Sequence, residues 1–508
     1  MSLPHLRSVA HSLSLAGLLL TAGPLHAEGW RVTTALTTRL IASDNINFSA
    51  VAPASDTLLE INPNVTLTRR NPRLQLSASY RPRYLNYFDD TFDSRVAHDF
   101  NGTGRWEAID DLFFLDGTAI SAQRTQSVFN AVPTDNQLAP DQLSRTRTYS
   151  LTPSFRGTVR LGDVATWRSS YNIVRSESSG VVAANTVTSE TFNGTLASTP
   201  AKIGWQVDVN TVKTTSDLSR STDRKSVTGS LIYRPDATLR LAARYGFENT
   251  NFANQRNGDT YGFGATWNPT PRTSFSGDFD ERPFGSTAAL RASHRLPRMA
   301  LSANYTRNLT TRAEQILAQN GVTDLADSLA LLEPFASEAD PAERLRLIEN
   351  FLRDNGLQRF QVGLTPILSD RQYLQTRWQI SATRTGVRNS ISLSFFRSES
   401  DSGIGGIGPV VGDDFALASV IRQTGWTASY SHRVSTDSSI NLSLTTSKSD
   451  GNSGSGIGSN RDVANATWTT RLGTRSNGSI GLRMTRATVT AGDVDENAVI
   501  ATLTTRFN

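Results

Sequence analysis

Along most of the chain, apolar and polar residues alternate one by one. Leu74, Leu76, Ala78, Tyr80, Pro82 and Tyr84 are separated by Gln75, Ser77, Ser79, Arg81 and Arg83. Leu239, Leu241, Ala243, Tyr245 and Phe247 interleave with Arg240, Ala242, Arg244 and Gly246. Ile440, Leu442 and Leu444 interleave with Asn441, Ser443 and Thr445. Successive side chains of a strand point to opposite faces, so each run has one apolar face and one polar, often basic, face. Several runs reach ten residues or more, which is long for a globular strand and right for a tilted membrane-spanning one.

Punctuation between the runs is also regular. Tight turn signals stand at Arg70-Asn71-Pro72, Ile109-Asp110-Asp111, Thr199-Pro200, Arg234-Pro235-Asp236, Asn268-Pro269-Thr270-Pro271 and Leu296-Pro297-Arg298. Longer polar stretches, Thr125–Ser144, Asp401–Gly412 and Asp450–Asn460, fall between them. Short turns on one side and longer loops on the other predict an all-β fold, a transmembrane antiparallel β-barrel of the outer-membrane type. From Trp30–Ile41 to Val499–Phe507 about 22 strands can be counted (range 20–24), an even number that returns the chain to its starting side. Gln358–Ile367 would make the count odd and is read as part of an insertion. A soluble β-sandwich array would lack so regular a pairing of turn and loop, and a β-helix would show stacked Asn or Gly ladders that this chain lacks.

Two segments depart from the pattern. At the N-terminus, Arg7, the apolar run Leu13–Ala22 and Leu25-His26-Ala27 read as a secretory signal over residues 1–27. The barrel then occupies 28–309 and 358–508, with an acidic amphipathic helical insert at 310–357. In that insert Leu325, Leu329 and Leu332, then Leu345, Ile348 and Leu352, recur at helical spacing. Asp340-Pro341 with Glu343 makes a helix start and Asn355-Gly356 a stop. The insert carries about −5 and the rest of the mature chain about +9. An acidic insert beside a basic lumen suggests a plug or gate (Leu345, Ile348, Leu352, Glu343 and Glu349); a helical cap over the rim is the equal alternative.

Composition narrows the chemistry. Among 508 residues there is no Cys, which excludes disulfides, thiolate metal sites and thiol nucleophiles. Three of the six His fall in the signal, leaving His98, His294 and His432 far apart. His432 alternates with Tyr430 and Val434 on the apolar face and has no orienting acid, so a lipase-like site is not expected. The Gly-rich runs Gly403–Gly408 and Gly451–Gly458 lack the Lys and following helix of a phosphate loop. Neither an enzyme, a cofactor, a metal site nor a nucleic-acid partner is expected. If the apolar face meets lipid, Arg81, Arg83, Arg168, Arg240, Arg244, Arg377 and Arg483 point into the lumen. There they either attract anionic solutes or pair with acids across the barrel. Trp30, Tyr84, Tyr87, Trp106, Trp167, Trp378 and Trp426 are expected in interfacial girdles. A TonB-dependent transporter is disfavoured, since the first strand begins almost at the cleavage site and leaves no room for an N-terminal plug domain. The final strand ends in Leu503, Thr505 and Phe507, an amphipathic ending with the near-terminal aromatic that barrel assembly machinery reads.

Four segments together carry a resemblance. They are Asp44-Asn45-Ile46-Asn47 after the first strand, the hairpin from Ile61-Asn62-Pro63-Asn64 to Arg69-Arg70, the Leu-rich insert, and the ending Asp495-Glu496-Asn497 with Thr505-Arg506-Phe507. They resemble the outer-membrane β-barrel family associated with PEP-CTERM/exosortase systems, found beside exopolysaccharide biosynthesis genes. The resemblance implies a Gram-negative cell outer-membrane protein tied to production or export of extracellular polysaccharide, as a pore or export component. Its expected partners are outer-membrane lipid and lipopolysaccharide, the barrel assembly machinery and polysaccharide export components. A structural or docking barrel of a secretion or surface-assembly complex, and a general solute channel, stand as alternatives.

Overall fold

The computed structural model describes residues 29–507 except 126, 131–142, 162–164, 180–184, 200, 218–220, 252–256, 312–313, 316–322, 333–334, 339–340, 355–359, 362–366, 368, 370–371, 404–412, 453–455 and 491. The proposed signal lies outside the described residues. The strands, in chain order, are β1 (Trp30–Ser43), β2 (Asp56–Arg70), β3 (Leu74–Tyr87), β4 (Arg95–Ile109), β5 (Phe113–Thr125), β6 (Leu143–Leu161), β7 (Ala165–Ser179) and β8 (Asn185–Ser198). There follow β9 (Ile203–Ser216), β10 (Thr222–Tyr233), β11 (Leu239–Thr250), β12 (Gly258–Thr270), β13 (Thr273–Arg282), β14 (Gly285–Leu296) and β15 (Met299–Thr310). A two-residue pair, β16 (Thr323–Asp324) and β17 (Phe360–Gln361), lies within the insertion. The wall resumes with β18 (Tyr373–Thr385), β19 (Asn389–Asp401), β20 (Val420–Arg433), β21 (Ser438–Gly451), β22 (Gly458–Arg471), β23 (Ser476–Val489) and β24 (Gly492–Arg506).

Each wall strand pairs antiparallel with its neighbours, and β24 pairs back onto β1, so 22 strands close into a ring without an edge. Lipid offers no hydrogen bonds, so this closure is what lets a sheet stand in a membrane. The connections alternate. At one end turns of two to five residues join the strands; at the other lie the long segments 44–55, 126–142, 402–419 and the insertion. The turn end is therefore periplasmic and the loop end external.

Alternation decides which face each side chain takes. Tyr80, Tyr245, Phe247, Leu442, Leu444 and Leu482 are exposed on the outside, where lipid covers them. The intervening polar positions line the interior. Tyr87 departs from the girdle expectation: it stands on the inward register of β3 and is buried with Ile41, Leu58 and Leu85 under the folded-in 44–55 loop. The segment expected as a hairpin at Ile61–Arg70 is instead the straight lower part of β2. Its register with β3 runs Ile61↔Tyr84 and then Val65↔Tyr80, which sets Pro63 opposite Pro82. Two prolines facing each other place their missing donors at one point of the ladder and leave the rest intact.

The outward/inward assignment has a direct consequence for stability. Leu442→Arg should destabilise the barrel by about 2–4 kcal/mol, while Asn441→Arg on the inward face should change it by far less. Denaturant unfolding of the two variants in lipid vesicles checks this, and equal losses would contradict the assignment.

Candidate functional site

The lumen is the candidate site, and four features define it: a seam, a charge-paired wall, a seated insert and a tied outer mouth. At the seam, two of the segments that carry the family resemblance meet. The backbone N–H and side-chain amide of Asn497 on β24 donate to the two carboxylate oxygens of Asp44 at 2.7 and 2.8 Å. Asn45 donates to the carbonyls of Ser49 and Asp495 and accepts from the Ser49 N–H. Glu496, fully buried, accepts from Arg483 at 2.7 and 3.0 Å and from Ser43 at 3.1 Å. These contacts clamp β24 to β1 at the loop end, while Phe507 bonds the Thr34 carbonyl at the turn end. Leu503 faces Thr38 and Thr505 faces Leu36 in the same ladder.

All seven arginines named from the sequence lie on the inward register. Arg83 pairs with Asp99, Arg483 with Glu496, and Arg244 bridges Asp278 and Asp280 at 2.7 Å each. Arg377 donates to Gln379 on its own strand. Arg81 and Arg168 are exposed to the lumen, and Arg240 is half-buried. Further inward pairs, Arg39–Glu60 and Arg282–Glu248, repeat the arrangement. Three of the seven, Arg83, Arg244 and Arg483, are thus held by acids one or two strands away, as in the pairing alternative, while Arg81 and Arg168 keep their side chains open to the lumen.

The insertion leaves the wall after Thr310 and returns at Tyr373, so residues 358–372 belong with it rather than with the barrel. It begins with reciprocal bonds, Thr311 N–H to the Glu314 carboxylate at 2.9 Å and Glu314 N–H to the Thr311 hydroxyl at 3.2 Å, a capping box. Two helices follow, α1 (Leu325–Leu329) and α2 (Pro341–Asp354), with a 3-10 turn at Phe335–Ser337. Leu325, Leu329, Leu332, Phe335, Ile348 and Leu352 form one buried core, with Leu345 partly buried at its margin. That core also contains Ala300. Ala300 is the second residue of β15, on its inward register and at the periplasmic end. Ten residues of strand, about 33 Å, separate it from Thr310, where the insertion starts. The insert therefore does not cap the rim; it runs down the lumen and packs near the far mouth, with α1 against β15 and β18. Glu349 is exposed, and the Glu343 side chain lies outside the described residues.

The external mouth is tied as well. Val128 and Phe129 after β5 pack with Ile367, Tyr373, Phe415, Ala418 and Ile421. Asp414, in the short helix α3 (Asp414–Leu417), accepts from the Ser127 hydroxyl and the Val128 N–H, and Ser369 donates to Asp413 at 3.2 Å. Ser459 of β22 donates to the Val128 carbonyl, and Gln372 beside β18 donates to Thr214 of β9. Connecting segments beside β5 and β18 are thus tied to β22 and β9, in other parts of the wall.

His432 faces outward with its Nδ1 against the Asn389 side chain, and Tyr430 donates to the same amide oxygen. Among the described residues no group of three or more His, Asp or Glu is placed to hold a metal.

Two outcomes follow. Arg483→Leu leaves Glu496 charged and buried and should cost about 3–5 kcal/mol, while the double change with Glu496→Leu should recover most of it; denaturant unfolding in detergent reads both. Burial holds the Glu314 carboxyl above its ordinary value, against the lowering effect of the Thr311 bonds and Arg224. A raised acid pKa means the seated insert retains its proton longer than the free chain does. Seating is then fully stabilised below the usual carboxylate range and weakens as pH rises through the raised value. Hydrogen exchange at the Gln315 amide should quicken with pH beyond its intrinsic rate, and Glu314→Gln should remove that excess.

No protein-family model and no curated protein sequence matches the chain. Solved structures do match. The FrpB iron transporter of Neisseria meningitidis, in its apoprotein form, superposes with a TM-score of 0.50 at 9% identity over 97% of this chain and 82% of that one. The ferric enterobactin receptor PfeA, solved in complex with BCV-L6, gives a TM-score of 0.48 at 8% identity, covering 93% of this chain and 81% of that one. The siderophore receptor PirA from Acinetobacter baumannii gives 0.46 at 10%, covering 93% and 80%. At such identities the likeness is one of fold, and with the closed ring and its apolar outer face it makes this protein an outer-membrane β-barrel.

Proposed function

We propose that this barrel is a gated conduit for a large polar solute across the outer membrane, with extracellular polysaccharide as its cargo and the insert as its gate. One observation carries the gate: the Leu325–Leu329–Ile348–Leu352 core rests on Ala300 at the periplasmic end of the lumen. The strands on either side of the insertion pair directly, Thr310 with Tyr373, so a hairpin of a few residues would join them. The 62 residues between them are not needed to complete the wall. They fill a space that 22 strands enclose and side chains alone cannot, since a ring of that size is wider than one layer of side chains on each wall. A gate that is part of one loop can leave the lumen without breaking any ladder bond. The polysaccharide assignment is supported by the family resemblance and by an interior lined with hydroxyls and amides, such as Ser302, Ser381, Asn210 and Asn193, which suit a hydroxyl-rich chain.

Planar-bilayer conductance of the full chain should be low. Replacing residues 312–371 with a short Gly/Ser linker should produce large, sustained current steps. In cells, loss of the protein should deplete surface polysaccharide and leave polymer in the periplasm. Current from the shortened chain with unchanged surface polymer would make the barrel a general solute channel. Silence in both chains would leave it a docking barrel and end the conduit reading.

A further inference from the structure

On its outer face the wall has a hollow of about 500 Å³ across β12–β15 and β18. Register explains it. In one cross-strand row Ala292 and Ala303 stand side by side between Phe275 and Ile380, so a gap two strands wide is left between large, exposed side chains. In the next row Gly277 faces Ala265, and a methyl group on Gly277 would come within 3.0 Å of Leu290 Cδ2. Aromatic pairs flank the gap. Trp267 stacks on Phe275 with ring centres 5.7 Å apart, and Tyr305 tilts against Trp378 at 4.4 Å. Trp378 is the sixth of the 13 residues of β18, so this second pair lies at mid-height rather than in an interfacial girdle.

Below the hollow, the periplasmic ends of the same strands are basic. Residues 265–277, 290–305 and 378–395 make up the periplasmic halves of β12–β15, β18 and β19 with their turns, and they contain no Asp or Glu. Arg291 and Arg295 lie on the inward register there. Arg272 and Arg298 stand exposed in the β12–β13 and β14–β15 turns, and Arg388 in the β18–β19 turn. Arg384, also exposed, follows Trp378, Ile380 and Ala382 on the outward register of β18. The Thr385 N–H donates to the Arg298 carbonyl at 3.0 Å and Met299 pairs with Arg384, so Arg298 and Arg384 are neighbours across the ladder. In the flanking β10–β11 turn Asp236 accepts from the Thr238 N–H and hydroxyl at 2.7 Å each and from the Leu239 N–H at 3.0 Å. Arg384 is four residues from Ile380 and six from Trp378, about 13–20 Å of strand, or about 10–15 Å of depth at a tilt near 40°. The hollow therefore lies within the periplasmic half of a hydrocarbon core about 30 Å thick. Between the two levels, Thr273 Oγ1 and His294 Nδ1 lie 2.8 Å apart on the outward face.

We propose that the hollow holds an acyl chain of an anionic glycerophospholipid from the periplasmic leaflet, its phosphate engaged by Arg298 and Arg384. Guanidinium groups pair with phosphate in bidentate fashion, and two neighbours with no carboxylate on the surrounding stretches are matched to one headgroup. The gap and the arginines are separated by the depth that an acyl chain spans below its headgroup. A second copy of the chain meeting this face about a two-fold axis would bring the same arginines together with no acid to receive them. The inner face of β15 and β18 carries the seat of the insert, so lipid and insert are held on opposite faces of the same strands. The site does not depend on what the lumen carries.

The test uses the purified full-length barrel in detergent, titrated with phosphatidylglycerol or with phosphatidylethanolamine of the same acyl chains, and native mass spectrometry counts the lipids retained. One phosphatidylglycerol should stay bound at concentrations where phosphatidylethanolamine does not. Arg298→Gln/Arg384→Gln should weaken retention about tenfold, and Ala303→Phe, which fills the gap, should weaken it as well. Arg147→Gln, exposed at the loop end of β6, should leave it unchanged. Heat-modifiable gel migration verifies that each variant is a folded barrel. In bilayers, phosphatidylglycerol brominated at mid-chain should quench tryptophan fluorescence more than equally brominated phosphatidylethanolamine, and Trp267→Phe/Trp378→Phe should remove the excess. Equal retention of the two lipids, or full retention by the double arginine variant, would overturn the site. Full retention by Ala303→Phe would overturn the placement of the chain in the hollow. A dimer that excludes the lipid and is broken by Ala303→Phe would give the hollow to a second copy and overturn the lipid assignment.

Discussion

Inside hydrocarbon a peptide N–H without a partner costs several kcal/mol, and this single penalty organises the molecule. It demands that β24 find β1, which it does over nine residue pairs from Ala35↔Arg506 to Ser43↔Ala498. Closure in turn fixes the tilt and register of every strand, and register fixes which residue of each alternating pair meets lipid. Asp44 and Asn497 lie at the loop end of that seam and lock it with two side-chain bonds, while Glu496 carries Arg483 on the lumen side of the same strand. Short polar segments that in sequence look like ordinary loop residues are here the clasp of the ring.

Once the ring is closed its interior becomes the second constraint. Twenty-two strands enclose more room than inward side chains can fill, so the lumen either conducts or is occupied. Occupation comes from the chain itself. The insertion has its own apolar core, and that core reaches Ala300, whose small side chain leaves space for Leu325 and Leu329. Hydrophobic burial of this kind holds the insert without engaging the wall's hydrogen-bond ladder, so the wall and the insert can separate as units. The contacts at the external mouth, through Asp413 and Asp414, tie the return of the insertion to loops from other parts of the ring. Displacing the insert therefore has to disturb that knot as well, which couples the two ends of the lumen.

Much of this was legible in the sequence, because period-two alternation is local. Leu239 to Phe247 is enough to orient β11, and turn residues such as Arg234-Pro235-Asp236 mark the periplasmic end. The even strand count and the assignment of Gln358–Ile367 outside the wall follow from the same counting. What alternation cannot carry is distance across strands. That Arg244 reaches two aspartates on β13, or that Glu248 pairs with Arg282, depends on registers between strands that are separated in sequence by a further strand. Tyr87 looked like a girdle aromatic because its neighbours Tyr84 and Tyr80 are outward; a shift of odd against even positions sends it into the core. The seat of the insert was invisible for a different reason, since Ala300 differs in no local respect from Ala303 on the lipid side.

The wall arginines show how position gives one residue type two surroundings. Arg483 and Arg244 lie where a neighbouring strand can supply an acid, and burying such a pair costs desolvation that only a matched carboxylate offsets. Arg81 and Arg168 stand instead on the inward register with their side chains exposed, where water reaches them. Along the lumen, paired arginines such as Arg83, Arg244 and Arg483 therefore alternate with exposed ones, so the wall is neither uniformly neutral nor a continuous cationic ring. A carboxylate opposite an arginine removes its attraction for a passing anion, so the pairs set by register decide which parts of the wall can still engage one.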